Sequence, residues 1–278
     1  MNEPETATSN GSETFQTILE VTNLKKLFPV KSGILVKKTV GKIHAVDGVS
    51  FSVEKGKTLG IVGESGSGKT TIGKLVLGFH KPTSGKIIFN NMDFGQITGD
   101  GLKELRKKMS VIFQDPMSSL DPRMTVYAIV AEPLDVNTDL SKSAKIERVK
   151  DLLLKVGLRP ADMQKYPQQF SGGQRQRIAI ARALALSPEL IIADEAVSAL
   201  DVSIQAKIID LLMSLQKETN TAFLFIAHDL SIVRRVSHNV AVMYLGKIFE
   251  YGSSEAIFSN PLHPYTIALL RSHLQDRD

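Results

Sequence analysis

Cysteine is absent from the chain. That excludes a disulfide framework, a cysteine zinc site and a cysteine-ligated iron–sulfur cluster, and it fits a reducing compartment. No window holds the eighteen or so uncharged apolar residues that a membrane helix needs, so if the protein works at a membrane, other chains are expected to span it. The opening MNEPETATSNGSET lacks the basic-then-apolar pattern of a secretory signal, and residues 1–17 are polar enough to be expected disordered. Neither an internal repeat nor a low-complexity tract is visible. What is present is ample for a core: 42% of the 278 residues are hydrophobic, enough for one large domain or two small ones. Lys and Arg number 34 against 29 Asp and Glu, and the resulting +5 admits nucleic acid, phosphate ligands or an anionic membrane surface as partners.

Short apolar runs alternate with helical patterns. ILEVTNLKKLFP (18–29) and AVDGVSFSV (45–53) show strand-like alternation, with a basic connection, VKSGILVKKTVGKIH, that reads as a solvated loop or a hairpin. TLGIV (58–62) and MSVIF (109–113) read as buried strands, and SGKIIFNNMDF (84–94) as a hairpin turning at Asn90-Asn91. From Asp115 to about Tyr166 the period becomes helical, with Ile146, Val149, Leu152, Leu153 and Val156 on one face. Strand patterns return at ELIIAD (189–194) and TAFLFIAHD (221–229), separated by a helix whose stripe is Ile204, Ile208, Leu211, Leu212 and Leu215. This alternation predicts an α/β domain with a largely parallel core sheet.

The stretch GESGSGKTT fits the phosphate-loop pattern and sits between a buried strand and a helix that should run from Lys69 to about Leu77. Glycines at 63, 66 and 68 let backbone N–H groups turn inward, so that Gly63, Glu64, Ser65, Gly66, Ser67, Gly68, Lys69, Thr70 and Thr71 would surround a phosphate. Lys69 would reach the β- and γ-phosphates and Thr70 would offer its hydroxyl to Mg²⁺. A second carboxylate site is then needed, and LIIAD supplies Asp194 at the end of an apolar strand, followed at once by Glu195. In the usual division of labour Asp194 holds the metal through water while Glu195 polarises the attacking water.

A second glycine loop, Ser171-Gly172-Gly173-Gln174, precedes another helical run and also puts free backbone N–H groups at a helix start. It lies on the helical insertion and need not face the first loop within one chain. A head-to-tail dimer would let each chain's second loop close over the γ-phosphate held by the other's first loop.

FSGGQRQRIAIARAL, together with the phosphate loop and IIADE, resembles the signature of ATP-binding-cassette ATPases. Further motifs of that family follow in order: Gln114 in FQDP resembles its Q-loop glutamine, Ser198-Ala199-Leu200-Asp201 its D-loop, and His228 in FIAHDL its switch histidine at the γ-phosphate. Phe28 in KKLFPV resembles the aromatic that stacks on adenine. The resemblance implies an ATP- and Mg²⁺-dependent ATPase with Glu195, His228, Gln114 and Lys69 as catalytic residues. Thr70, Gln114 and Asp194 would lie at the metal, and Phe28, residues 63–71, Ser171–Gln174 and Asp201 around the nucleotide. It also implies a P-loop NTPase core with a mixed, largely parallel sheet, an N-terminal antiparallel β subdomain and an inserted α-helical subdomain. On that plan residues 18–278 form one domain, with 18–114 and 189–245 as core, 115–188 as helical subdomain and 246–278 as C-terminal extension.

FPVKSG, HAVDGVSF, DPMSSLDPRMTV, SALDVSIQAKI, VMYLGKI and NPLHPYT look like the ATPase subunits of oligopeptide, dipeptide and nickel importers. This implies a second ATPase subunit in a heterodimer, two transmembrane permease subunits, an extracytoplasmic substrate-binding protein and a peripheral place on the cytoplasmic face of the membrane, with no nucleic acid partner. Peptide is the leading cargo, and nickel or another small solute the alternative. An exporter ATPase would share the catalytic motifs. Cassettes acting on ribosomes or DNA differ by a duplicated unit or a long coiled coil, neither of which this sequence shows. Two departures stand out: Ala196 replaces the proline that many members have after the glutamate, and the chain ends shortly after HPYTIALL without a cysteine-bearing tail.

Overall fold

The computed structural model describes residues 16–32, 38–115 and 119–275. The segment expected to be disordered, 1–17, lies outside the described residues except for Gln16 and Thr17, and Thr17 already opens a strand. Two long strands, β1 (Thr17–Ser32) and β2 (Lys38–Glu54), pair antiparallel, so the basic connection is a hairpin whose tip, 33–37, lies outside the described residues. The strands run further into that connection than their apolar alternation predicts, because backbone pairing carries them on after the buried positions end. With β4 (Ser84–Phe89) and β5 (Met92–Asp93) they form a four-stranded antiparallel sheet in the order β2-β1-β4-β5. The β4–β5 turn falls at Asn90 and Asn91, as read from the sequence; both have positive φ, the left-handed geometry that a tight two-residue hairpin demands and asparagine tolerates.

The core sheet has six strands in the order β10-β9-β3-β8-β7-β6. They are β3 (Thr58–Val62), β6 (Met109–Ile112), β7 (Leu190–Asp194), β8 (Ala222–Ile226), β9 (Asn239–Tyr244) and β10 (Lys247–Ser253). All neighbours are parallel except β9 and β10. The strands buried on both faces are continuous apolar runs, and alternate residues serve two different cores. Leu190, Ile192, Leu224 and Ile226 pack toward the antiparallel sheet with Leu19, Val21, Phe51 and Ile72. Ile191, Ala193, Phe223 and Phe225 pack the other way, against the helices. β6 is an edge strand, so it is only half covered, and Phe113 just beyond it is exposed instead of buried as its apolar run suggests.

The helices are α1 (Lys69–Val76), α2 (Asp100–Lys107), α3 (Val126–Asn137), α4 (Lys142–Lys155), α5 (Gly172–Ala183), α6 (Val202–Thr219), α7 (Leu230–Val236), α8 (Ser254–Ser259) and α9 (Pro264–Gln275). Thr125 and Ser141 cap α3 and α4 through their side chains. The predicted face of α4 is the buried one, with Val149, Leu152 and Leu153 sealed in. Gly157, with φ +72°, ends that helix in the left-handed conformation that a side chain would resist. Residues of α3, α4 and α5 belong to the same core as β7 and β8, so the helical insertion is bonded to the sheet by shared apolar packing. The C-terminal segment is likewise integral: β10 forms one edge of the core sheet.

Candidate functional site

Strand register brings the motifs together. Ile61 of β3 lies opposite Ile226 of β8, and Ile226 in turn opposite Asp194 of β7. Three parallel strands therefore end level, and the loops that leave them, bearing the phosphate loop, Glu195 and His228, share one crevice at the carboxyl edge of the sheet.

The phosphate loop wraps the start of α1. Gly63, Gly66 and Gly68 all have positive φ, and a Cβ at Gly68 would lie 2.1 Å from the carbonyl oxygen of Ala45, a contact no side chain could make. No side chain caps α1, whereas α3, α4, α5, α6, α7 and α8 each have one. The uncapped N–H groups and the positive end of the helix dipole thus face a cleft of about 470 Å³ lined by Ser65, Gly66, Gly68, Lys69, Thr70, Thr71 and Glu195. Lys69 is only 5% exposed and its Nζ donates to the carbonyls of Gly63 and Glu64, both at 2.7 Å, with Ser67 Oγ at 3.5 Å. Burial pushes the ammonium below the ordinary lysine range, while Glu195, Asp194 and Glu64 push it back up. Such a cation, charged but poorly solvated, gains most from an incoming polyanion.

Thr70 Oγ1 donates to Asp194 Oδ1 at 3.0 Å, joining α1 to β7 across 124 positions of sequence. Burial raises the Asp194 carboxyl above the usual range; the Thr70 bond lowers it, and Glu195 adds to the rise. A bound cation would relieve that unfavourable charge. Among the described residues no cluster of three or more His, Asp or Glu could hold a metal alone. One hydroxyl and one carboxylate, completed by phosphate oxygens and water, are what Mg²⁺ ordinarily takes, so the residues present fit Mg²⁺ bound with a nucleotide.

Glu195 has φ +50°, a left-handed conformation costing ~1–2 kcal/mol for a residue with a side chain. Its amide bonds the carbonyl of Ile226 at 2.8 Å, which ties the loop after β7 to the end of β8 and aims the carboxylate into the crevice. His228 Nδ1 lies 3.6 Å from Glu195 Oε1, so the last two catalytic candidates are neighbours. Gln114 stands apart, exposed beyond β6, in a groove of about 400 Å³ that also contains Thr70, Asp194, Phe79 and Phe113. It shares a wall with the metal-site pair but reaches toward the outside of the domain.

The second glycine loop lies outside the crevice. Ser171 caps α5 in a reciprocal box: its Oγ accepts from Gln174 N at 3.4 Å and its amide donates to Gln174 Oε1 at 3.0 Å. Ser171, Gly172 and Gln174 are exposed, and Gly173 is buried against Ile204. Asp201 caps α6, accepting from Ile204 N at 3.0 Å and Ser203 Oγ at 2.8 Å. Neither loop contacts the cleft at Lys69 in this chain.

Phe28 is not brought to the cleft wall. Its ring meets His80 edge-on at 5.5 Å, with Lys26 Nζ at 5.0 Å, while its cross-strand partner Ile43 lines the cleft together with His44 and Ala45. Ile43 and His44 went unnoticed in the sequence because they precede the strand pattern at 45; an exposed isoleucine beside an imidazole was the only available signal. Tyr265 of the HPYT segment was also missed as a site neighbour. Its ring packs on Tyr244, centroids 4.5 Å apart, and its hydroxyl accepts from the Glu64 amide at 3.4 Å, so the C-terminal helix buttresses the phosphate loop.

Comparison with known proteins agrees with this geometry. Residues 46–198 match the ABC transporter family. The chain is 53% identical over 258 residues to the oligopeptide transport ATP-binding protein AppF of Bacillus subtilis (strain 168), covering 92% of this chain and 78% of that one. It is 50% identical over 255 residues to the glutathione import ATP-binding protein GsiA of Pectobacterium atrosepticum, of which it spans 41%. Among solved structures, the dimeric post-hydrolysis state of the ATP-binding cassette MJ0796 bound to ADP and Pi superposes with a TM-score of 0.74 at 29% identity, over 85% of this chain and 99% of that one.

Proposed function

This chain belongs to the ABC transporter family, and from that premise we propose that it is the ATP-hydrolysing subunit of a peptide importer. The observation that carries the reading is the Thr70–Asp194 pair at 3.0 Å, with Thr70 lining the same cleft as Lys69 and Glu195, and His228 3.6 Å from Glu195. Phosphate charge meets the α1 amides and Lys69. Thr70 and Asp194 would hold Mg²⁺, which would supply positive charge to the phosphoryl groups, and Gln114 lies at the same wall. Glu195 takes the proton of the attacking water, and His228, beside it, contacts the γ-phosphate. Ser171, Gly172, Gln174 and Asp201 are exposed in one chain and, with the backbone of Gly173, serve the nucleotide of a second cassette, so the dimer closes on ATP and opens once the γ-phosphate contacts are lost.

Peptide as cargo follows the relatives, whose names specify oligopeptide and glutathione. No described helix is long and apolar enough to cross a membrane, so separate permease subunits would carry the solute. The groove bearing Gln114, Phe79 and Phe113 suits contact with such a subunit, since two exposed aromatic rings lie there beside the Thr70–Asp194 pair. A heterodimeric second cassette and an extracytoplasmic binding protein complete the assembly. Mass spectrometry of what copurifies with the chain from gently solubilised native membranes tests this: two membrane subunits and another cassette are expected. Recovery solely with ribosomes or DNA, from the soluble fraction, would overturn transport while leaving the ATPase chemistry standing.

For the adenine, we propose the hairpin wall at Ile43 and His44, which lines the cleft, in place of Phe28. Ile43→Ala and His44→Ala are each expected to raise the KM for MgATP several-fold, ~1 kcal/mol of lost apolar or stacking contact, whereas Phe28→Ala changes it less than about twofold. Steady-state hydrolysis against ATP concentration decides; the opposite ranking restores Phe28 as the stacking residue.

A further inference from the structure

Three successive carbonyls of the loop bearing Glu195 each receive a side-chain donor. Ser198 Oγ donates to the Glu195 carbonyl at 3.0 Å, Gln176 Nε2 to that of Ala196 at 2.5 Å, and Gln205 Nε2 to that of Val197 at 3.0 Å. The first donor is local, as in many turns. The other two come from separate helices, Gln176 from the second turn of α5, the helix that Ser171 caps, and Gln205 from the first turn of α6, the helix that Asp201 caps.

Gln176 is anomalous as a packing residue. It is 0% exposed, and its Oε1 has no hydrogen-bond partner among the described residues. A fully buried amide with an orphaned acceptor costs ~1–3 kcal/mol, and an apolar chain of the same length would avoid that cost. Stability alone does not account for it. Its one bond reaches the carbonyl adjoining a residue held at left-handed φ, whose carboxylate direction depends on that backbone.

We infer that Gln176 and Gln205 are positioning residues that hold the Glu195 backbone in its working conformation and couple it to the two helix caps that face a second cassette. The inference rests on the reading of Glu195 as the base. Its consequence is directional: a shift of the Ser171 or Asp201 end on engaging the partner's nucleotide moves the Ala196 and Val197 carbonyls, and with them the carboxylate at the chain's own nucleotide.

The test uses the full chain with MgATP. Gln176→Met keeps the length and removes the donor. Loss of the orphaned Oε1 offsets loss of the Ala196 bond, so the melting temperature stays within about 4 °C. The expected result is a kcat lowered ~10-fold or more, since small misplacements of a reacting group are costly, with the KM for MgATP unchanged. In a Glu195→Gln background the same change should add no further loss, because Gln176 acts through Glu195. Gln205→Met, at a half-buried position tolerant of an apolar chain, should lower kcat by a smaller factor and keeps the idea testable if the Gln176 variant does not fold. Wild-type kcat in both variants, or a raised KM with kcat intact, overturns the coupling and leaves Glu195 in its role. A wild-type chain without ATP turnover instead overturns the underlying reading.

Discussion

Glu195→Gln is expected to lower kcat for ATP hydrolysis ~100- to 1,000-fold, the range for loss of a general base, while MgATP binding changes little. The amide is nearly isosteric, and the backbone that places it is held by the Ile226 carbonyl and by Ser198, Gln176 and Gln205, none of which needs the carboxylate. The site should therefore keep its shape and lose the proton acceptor. The Lys69 ammonium, the Thr70–Asp194 pair and the α1 N-terminus all remain to bind ATP. With hydrolysis blocked, the ATP-bound dimer should accumulate, visible as an ATP-dependent shift in size-exclusion chromatography that the wild type shows only transiently. Phosphate-release kinetics provide the decisive measurement. Turnover near that of the wild type would remove Glu195 from the role of base and leave His228, 3.6 Å away, as the acceptor to test next.

The second large effect concerns binding. Lys69→Met should weaken MgATP affinity ~100-fold, read by equilibrium titration with a fluorescent nucleotide, and bring hydrolysis to background. The ammonium is nearly buried, so its attraction for phosphate is weakly screened, and truncating one member of a buried, hydrogen-bonded charge pair typically costs 2–5 kcal/mol. In this structure the same ammonium is held by the Gly63 and Glu64 carbonyls, so its charge already sits at the phosphate loop. Methionine fills the space of the stem, which separates loss of charge from collapse of the loop. An unchanged dissociation constant would mean that the α1 amides alone bear the phosphate.

These two residues were legible in the sequence because their chemistry is local. A phosphate loop is a contiguous run in which glycine spacing, the lysine and the threonine are dictated by the size of a phosphate group, and a carboxylate at the end of an apolar strand is also read within a few residues. The second glycine loop announced itself in the same way, and it lies away from the cleft at Lys69 within this chain. Tertiary structure decided which of these pieces touch. Apolar alternation reveals the faces of a strand but not its neighbours, so the order β3-β8-β7, which places Thr70 3.0 Å from Asp194, came from long-range pairing. The same pairing made β6 an edge, with Phe113 exposed beyond it, while pairing in the antiparallel sheet set Phe28, beside His80, opposite the cleft residue Ile43, and packing of the C-terminal helix set Tyr265 against the phosphate loop. Gln176 shows the division most clearly. Inside its motif it is one polar residue on an amphipathic helix; folding gave its side chain, among the described residues, one partner twenty residues away, because a buried amide must find a hydrogen bond wherever the packed chain offers one.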